Sequence, residues 1–217
     1  MFNIKYHTLR KIFKNESHLF LYLQKIQLMT TGRLEAFSDG VIAIIITIMV
    51  LSLQIPTTPD WSGIRALAPK FVSYILSFIY VGIYWNNHHH LIFNTNKVNG
   101  NIMWSNLAFL FTLSLMPFST AWMGEHQFKM NTTILYGIVL MSNAVTYGIL
   151  SYFIAKNEGK NSEFVKAIGG GTKEKLSIAI YLLGIAVSFF EPYIALVFYY
   201  IVALMWIIPD KRLTEKE

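Results

Sequence analysis

The 217-residue chain is too apolar for an ordinary soluble domain, because 54% of its residues are hydrophobic and only 14% are charged, against about 25% charged residues in globular proteins. Its basic residues outnumber the acidic ones by six, but they lie mainly at the chain ends and between apolar runs. That distribution favours a membrane protein over a nucleic-acid-binding one. The absence of cysteine excludes disulfides and thiolate metal sites.

The amino-terminal stretch, residues 1–29, mixes lysines with large apolar residues. Two interpretations stay open: a basic tail, or an amphipathic helix that lies on an anionic leaflet. Met29 is an alternative start of translation. The first long apolar run begins too far from the amino terminus for a cleaved signal peptide, so we expect an uncleaved anchor.

The apolar runs predict an all-α membrane protein with six transmembrane helices in one domain, residues 30–208. About 20 apolar residues are needed to cross a hydrocarbon core of ~30 Å. Residues 209–217 are predicted to form a charged carboxy-terminal tail. The predicted helices cover residues 35–55, 66–92, 102–123, 131–154, 176–190 and 192–208.

Lysine and arginine counts predict the orientation of these helices. Six of the 18 basic residues precede or begin the first helix, one lies in the second-to-third link, five in the fourth-to-fifth link and three at the carboxyl end. These fifteen fall on one side and the other three on the opposite side, so the positive-inside rule places both termini in the cytoplasm of a cell-membrane protein.

The first helix begins with charged and polar residues, Arg33, Ser38 and Asp39, before its apolar part. An ionisable residue inside a span is expensive to keep and is therefore a candidate functional residue. Two roles for Asp39 stay open: a latch that fixes helix packing, or a direct part in ion passage or proton sensing. The triplet at 88–90 is predicted to supply hydrogen bonds to Asp39, and not a metal site, because adjacent helical residues point ~100° apart.

One face of the same helix carries Ile44, Thr47, Ile48 and Leu51 at helical spacing. This stripe fits either the lining of a pore or packing in a core. Because nearly every position in this run is apolar, periodicity by itself does not choose between the two.

The first helix resembles the signature of the transmembrane protein 175 family, through Arg33-xxx-Phe37-Ser38-Asp39 followed by Gly-Val-x-Ala-Ile-x-x-Thr-Ile-x-x-Leu. His90 departs from the pattern, where a lysine or arginine is expected. The resemblance covers about residues 30–208. Further positions agree with bacterial members of the family: Trp85, His88, His89, Asn106, Pro117 and Phe118.

The resemblance implies a potassium-permeable leak channel without the Thr-Val-Gly-Tyr-Gly filter, which this sequence lacks. Four copies would assemble around the first helix as a homotetramer. Ile44 would form the narrowest ring, Thr47 the hydroxyl ring associated with selectivity, and Ile48 and Leu51 further apolar rings. The positions of the structural network implied by the resemblance are Arg33, Phe37, Ser38, Asp39, Trp85, His88 and His89.

We therefore predict passive permeation of potassium through a hydrophobic constriction. The partners are potassium, the lipid bilayer and further copies of the chain, with no catalysis, no cofactor, no nucleic acid and no metal beyond transient potassium. Two alternatives stay open. One is a proton-coupled secondary transporter that uses Asp39 and His88; the other is a membrane enzyme or accessory subunit without transport.

Overall fold

A computed structural model describes residues 31–93, 95, 97–158 and 172–207 of the chain. The described part is helical and contains no β-strand. Both predicted tails, residues 1–29 and 209–217, therefore lie outside the described residues. The helices are α1 Thr31–Leu51, α2 Trp61–Ala66, α3 Ala68–Phe93, α4 Gly100–Leu113, α5 Met116–Glu125, α6 Met130–Glu158, α7 Thr172–Ser188 and α8 Pro192–Ile207.

Three helical segments are long and apolar enough to cross a bilayer: α1, the unit Gly100–Glu125 that combines α4 and α5, and α6. The helix α8 is apolar but shorter. The chain is thus an all-helical protein with several candidate membrane spans. The number six for the spans remains a prediction.

The predicted third helix is interrupted in the structure, because Ser114 and Leu115 separate α4 from α5. Pro117 occupies the first turn of α5, where its missing N–H costs no helical hydrogen bond. The sequence prediction also missed α2, which begins after Asp60. The Asp60 carboxylate accepts hydrogen bonds from the backbone N–H groups of Ser62 and Gly63. Bonds from the Ser62 side chain and backbone lower the pKa of Asp60, which keeps this helix cap charged.

The helix α1 packs mainly on α3, α4 and α5. Its buried face consists of residues three or four positions apart, which is the spacing of one side of a helix. The opposite face is exposed along the whole length of α1. The buried residues are Leu34, Ser38, Ile42, Ile45 and Met49.

The core between α3, α6, α7 and α8 is rich in buried tyrosines. Tyr80, Tyr136, Tyr181 and Tyr199 are all at most 2% exposed. Their rings contact one another, with the Tyr136 and Tyr199 centroids 6.0 Å apart and those of Tyr181 and Tyr199 6.3 Å apart. Large rings fill the space between helices, and their hydroxyls find partners: the Tyr199 hydroxyl donates to the Thr133 carbonyl at 3.3 Å.

Two glycines of α6 provide a matched pair for testing this packing. A Cβ on Gly137 would lie 2.1 Å from Oη of Tyr199, whereas a Cβ on Gly148 would meet nothing within 4 Å. We expect Gly137→Ala to lower stability by ~1–3 kcal/mol through overpacking. Gly148→Ala is expected to leave stability unchanged or slightly raised. Thermal unfolding of the purified protein measures both, and equal melting temperatures of the two variants would contradict the packing.

Candidate functional site

A buried chain of hydrogen bonds joins α1, α4 and α3. The Ser38 hydroxyl donates to the Leu34 carbonyl at 2.8 Å and accepts from the Asn106 side-chain amide at 2.9 Å. The Asn106 amide oxygen lies 2.7 Å from Nε2 of His88. Ser38, Asn106 and His88 are each 0% exposed. This chain fixes the position of α1 against two neighbouring helices.

The directions of these bonds determine the tautomer of His88. Because the Asn106 amide nitrogen donates to Ser38, its oxygen is the acceptor that faces His88. Nε2 of His88 must therefore carry the hydrogen. Its Nδ1 is buried without a hydrogen-bond partner among the described residues, and the ring stacks on Phe109 with centroids 5.7 Å apart. A neutral imidazole with its hydrogen on Nε2 satisfies this network, because Nδ1 has no partner there to receive a second hydrogen.

Asp39 is bound by a tryptophan, in contrast to the expected histidine. Nε1 of Trp85 donates to the Asp39 carboxylate at 3.0 Å. One turn away, Nδ1 of His89 lies 2.7 Å from the Glu35 carboxylate. Glu35 and Asp39 are four residues apart on α1, as Trp85 and His89 are on α3, so two facing rows meet. The prediction that the triplet at 88–90 bonds Asp39 is wrong for His88 and His89, which bond Asn106 and Glu35 instead.

Sequence reasoning left Glu35 and Asn106 out of the structural network. Both belong to it by direct contact, Glu35 through His89 and Asn106 through Ser38 and His88. Glu35 could have been found from its spacing, because a residue four positions before Asp39 lies on the same face of the helix. Arg33 and Phe37, two residues of the predicted network, lie on the exposed face of α1.

The stripe predicted to line a pore lies on that exposed face. Ile44 is 58%, Ile48 49% and Leu51 76% exposed, and Thr47 is exposed as well. The Thr47 hydroxyl donates to the Ala43 carbonyl of its own helix at 2.8 Å, which leaves its oxygen lone pairs free. Core packing within this subunit is therefore excluded for these four residues.

An apolar groove of about 500 Å³ runs beside this stripe. Ile44 and Ile48 form one wall, and Pro117 and Phe118 of α5 form the other. The groove also contains Ser114, the residue that caps the carboxyl-terminal end of α4. Its hydroxyl donates to the Phe111 carbonyl of α4 at 2.7 Å. The stripe and the groove together form a continuous apolar surface, and such surfaces mark contacts with lipid or with another protein chain.

Metal-binding geometry is missing from the part of the chain that the structure describes. No group of three or more histidine, cysteine, aspartate or glutamate side chains could hold an ion there. His88 and His89 point to different helices, toward Asn106 and Glu35. His88 and His89 therefore join α3 to two different helices of this subunit.

The fold and this site define an all-helical membrane protein whose first candidate span carries a polar cluster on one side and an exposed apolar stripe on the other. The sequence model described as "Endosomal/lysosomal potassium channel TMEM175" matches residues 33–117, which contain the cluster and the stripe. A protein of Chryseobacterium sp. (strain P1-3), named a potassium channel, is 57% identical over 85% of this chain and 96% of its own length. The chain belongs to the TMEM175 family.

Two further proteins are similar to the chain. A protein of Streptomyces collinus, also named a potassium channel, is 30% identical over 58% of this chain and 65% of its own length. The solved structure of a lysosomal potassium-selective channel TMEM175 homolog from Chamaesiphon minutus has the same fold, with a TM-score of 0.72, 24% identity, and coverage of 83% of this chain and 97% of that one. The predicted family is confirmed, and it is a family of ion channels and not of enzymes.

Proposed function

We propose that the chain is the subunit of a potassium channel that conducts passively through a pore lined by α1. Four copies meet around this helix, and Ile44 forms the hydrophobic constriction. Thr47 supplies the hydroxyl ring, and Ile48 and Leu51 add apolar rings. The protein crosses the cell membrane six times, with both termini in the cytoplasm.

The exposed stripe on α1 carries this proposal. The helix is held on one side by the buried hydrogen bond that the Asn106 amide donates to Ser38, and on the other side it presents Ile44, Ile48 and Leu51 uncovered. A membrane helix with one fastened and one uncovered face is suited to meet its own copies around an axis. The relatives named potassium channels support the choice of ion.

The proton-coupled alternative gains no support from the contacts of Asp39 and His88. A relay requires the two groups to exchange a proton, but Asp39 bonds Trp85 and His88 bonds Asn106. A second proton on His88 would sit on Nδ1, which has no acceptor among the described residues. A buried N–H without an acceptor costs roughly 1–3 kcal/mol.

The test is a flux measurement on the purified protein in liposomes with opposed potassium and sodium gradients. We expect potassium flux that needs no coupling ion and a reversal potential near that of potassium. Flux that saturates and follows an imposed pH gradient would instead indicate a carrier. The absence of any flux would contradict both.

Thr47 offers a prediction about selectivity. Its oxygen faces the proposed pore, where four copies would replace part of the hydration shell of potassium. Thr47→Ala should lower the potassium-to-sodium permeability ratio by about fivefold, the factor that corresponds to ~1 kcal/mol. Thr47→Ser keeps the hydroxyl and should retain most of the ratio. Reversal potentials measure both variants, and an unchanged value in Thr47→Ala would remove Thr47 from the selectivity mechanism.

A further inference from the structure

Among the described residues, polar contacts fasten α1 near its amino-terminal end and just beyond its carboxyl-terminal end. At its amino-terminal end, Glu35, Ser38 and Asp39 bond α3 and α4. From residue 40 to residue 51, no described side chain makes a polar contact with another element, and the Thr47 hydroxyl bonds its own helix. Apolar packing alone therefore holds residues 40–51 against the other described helices.

The second fastening comes three residues after α1 ends. Oε1 of Gln54 accepts a hydrogen bond from Nζ of Lys70, in the first turn of α3, at 2.8 Å. The same ammonium lies 2.5 Å from the carboxylate of Glu125, the last residue of α5. We call these three residues the Lys70 clasp.

Lys70 lies in closely packed surroundings. Its side chain is only 15% exposed, so much of the stem is covered by neighbouring groups. A Cβ on Gly124 would lie 2.9 Å from Cα of Lys70, which shows how closely α5 approaches α3 here. The clasp therefore connects the loop after α1 to a closely packed part of the subunit.

The geometry makes the clasp a control on the width of the proposed pore. Asp39 and Leu51 are twelve residues apart, which gives a lever of ~18 Å. A tilt of about 5° around Asp39 moves Leu51 by about 1.6 Å on this lever. In an apolar constriction, shifts of this size decide whether water and ions enter.

We propose that Lys70 is a positioning residue for ion permeation: by holding Gln54 it fixes the carboxyl-terminal half of α1, and with it the separation of the Ile48 and Leu51 rings. The inference rests on the proposed function, in which α1 lines the pore. Lys70 contacts no ion in this mechanism and acts through Gln54 alone.

The experiment compares Gln54→Met, Lys70→Met and the double variant in the liposome assay. Each should raise potassium flux per channel by about two- to tenfold, the range given by the net strength of one hydrogen bond. The double variant should add nothing further, and Lys70→Arg should restore flux to within about twofold of the wild type. Gln127→Met and Lys129→Met, exposed residues in the turn after α5, are the matched controls and should leave flux unchanged.

A second readout reports on the clasp without any channel activity. The chain has no cysteine, so Ile55→Cys with His126→Cys places two spin labels in the loops that the clasp joins. Labelled protein is diluted with unlabelled protein, so that only distances within one subunit are measured. The distance distribution should broaden in Gln54→Met, whose exposed side chain can change without loss of the fold.

The two readouts separate the possible failures. An unchanged label distance in Gln54→Met would overturn the clasp, whatever the flux. A broadened distance with unchanged flux, in a protein that conducts, would overturn the positioning role of Lys70. A wild-type protein without potassium flux would overturn the proposed function instead.

Discussion

Ile44→Ala should raise the potassium conductance of each channel by about tenfold or more. In the proposed pore, four Ile44 side chains leave little room for water, and an ion without its hydration shell meets a prohibitive barrier among apolar groups. Shorter side chains widen the ring and let it hydrate, which lowers that barrier by at least ~1.4 kcal/mol. Single-channel recording in planar bilayers measures the effect. The Ile44→Asn variant should conduct still more and should discriminate less between potassium and sodium.

Ile45 is the matched control for this prediction. It neighbours Ile44 on α1 but is 3% exposed, whereas Ile44 is 58% exposed. Ile45→Ala should lower the free energy of unfolding by ~2–5 kcal/mol without raising single-channel conductance. In the Ile44→Cys variant, water-borne thiol reagents should block flux. If those thiols stay unreactive and Ile44→Ala only lowers the yield, α1 does not line the pore.

Asn106→Ala should lower the stability of the protein more than most single substitutions. Its amide bridges Ser38 and His88, all three fully buried. The substitution leaves the buried Nε2–H of His88 without its acceptor, at a cost of ~1–3 kcal/mol, and removes the bond that Ser38 accepts, while Ser38 keeps its bond to the Leu34 carbonyl. We expect a fall in melting temperature of about 5–15 °C, given that 1 kcal/mol corresponds to about 2–4 °C in chains of this size.

Asn101→Ala is the comparison for that effect. Asn101 lies on the same helix and its side chain is exposed, so its melting temperature should match the wild type. Both variants are measured by thermal unfolding in detergent and by potassium flux after reconstitution. An Asn106→Ala variant that melts like Asn101→Ala would show that the buried chain of hydrogen bonds contributes little to holding α1.

The positions of the long helices were predictable because apolar runs of membrane length mark them directly. The predicted first and fourth helices, residues 35–55 and 131–154, each overlap a long helix of the structure, Thr31–Leu51 and Met130–Glu158. The interruption at Ser114 was not predictable, because the hydropathy continues unchanged across it. The short helix α2 had a local signal that the prediction did not use: Asp60 directly precedes it, and aspartate is a preferred residue at a helix N-cap.

Sequence reasoning named Ser38, Asp39 and three residues of α3, Trp85, His88 and His89, but it did not predict how they pair. Trp85 and His89 share one face of α3, while His88 points elsewhere, since adjacent helical residues differ by ~100°. The histidine triplet at 88–90 was expected to bond Asp39 because an imidazole binds a carboxylate well, and the indole N–H of Trp85 serves the same purpose. Which helix faces which is a property of the tertiary packing.

The bond between Trp85 and Asp39 also sets an order of events during synthesis. The two residues are 46 positions apart in the chain. At a synthesis rate of about 5–20 residues per second, the donor follows the carboxylate by roughly 2 to 9 s. Through that interval the nascent first helix must keep a charge that only water can solvate. A newly made α1 should therefore wait with its amino-terminal end at the membrane surface and settle to its final depth only after α3 has arrived.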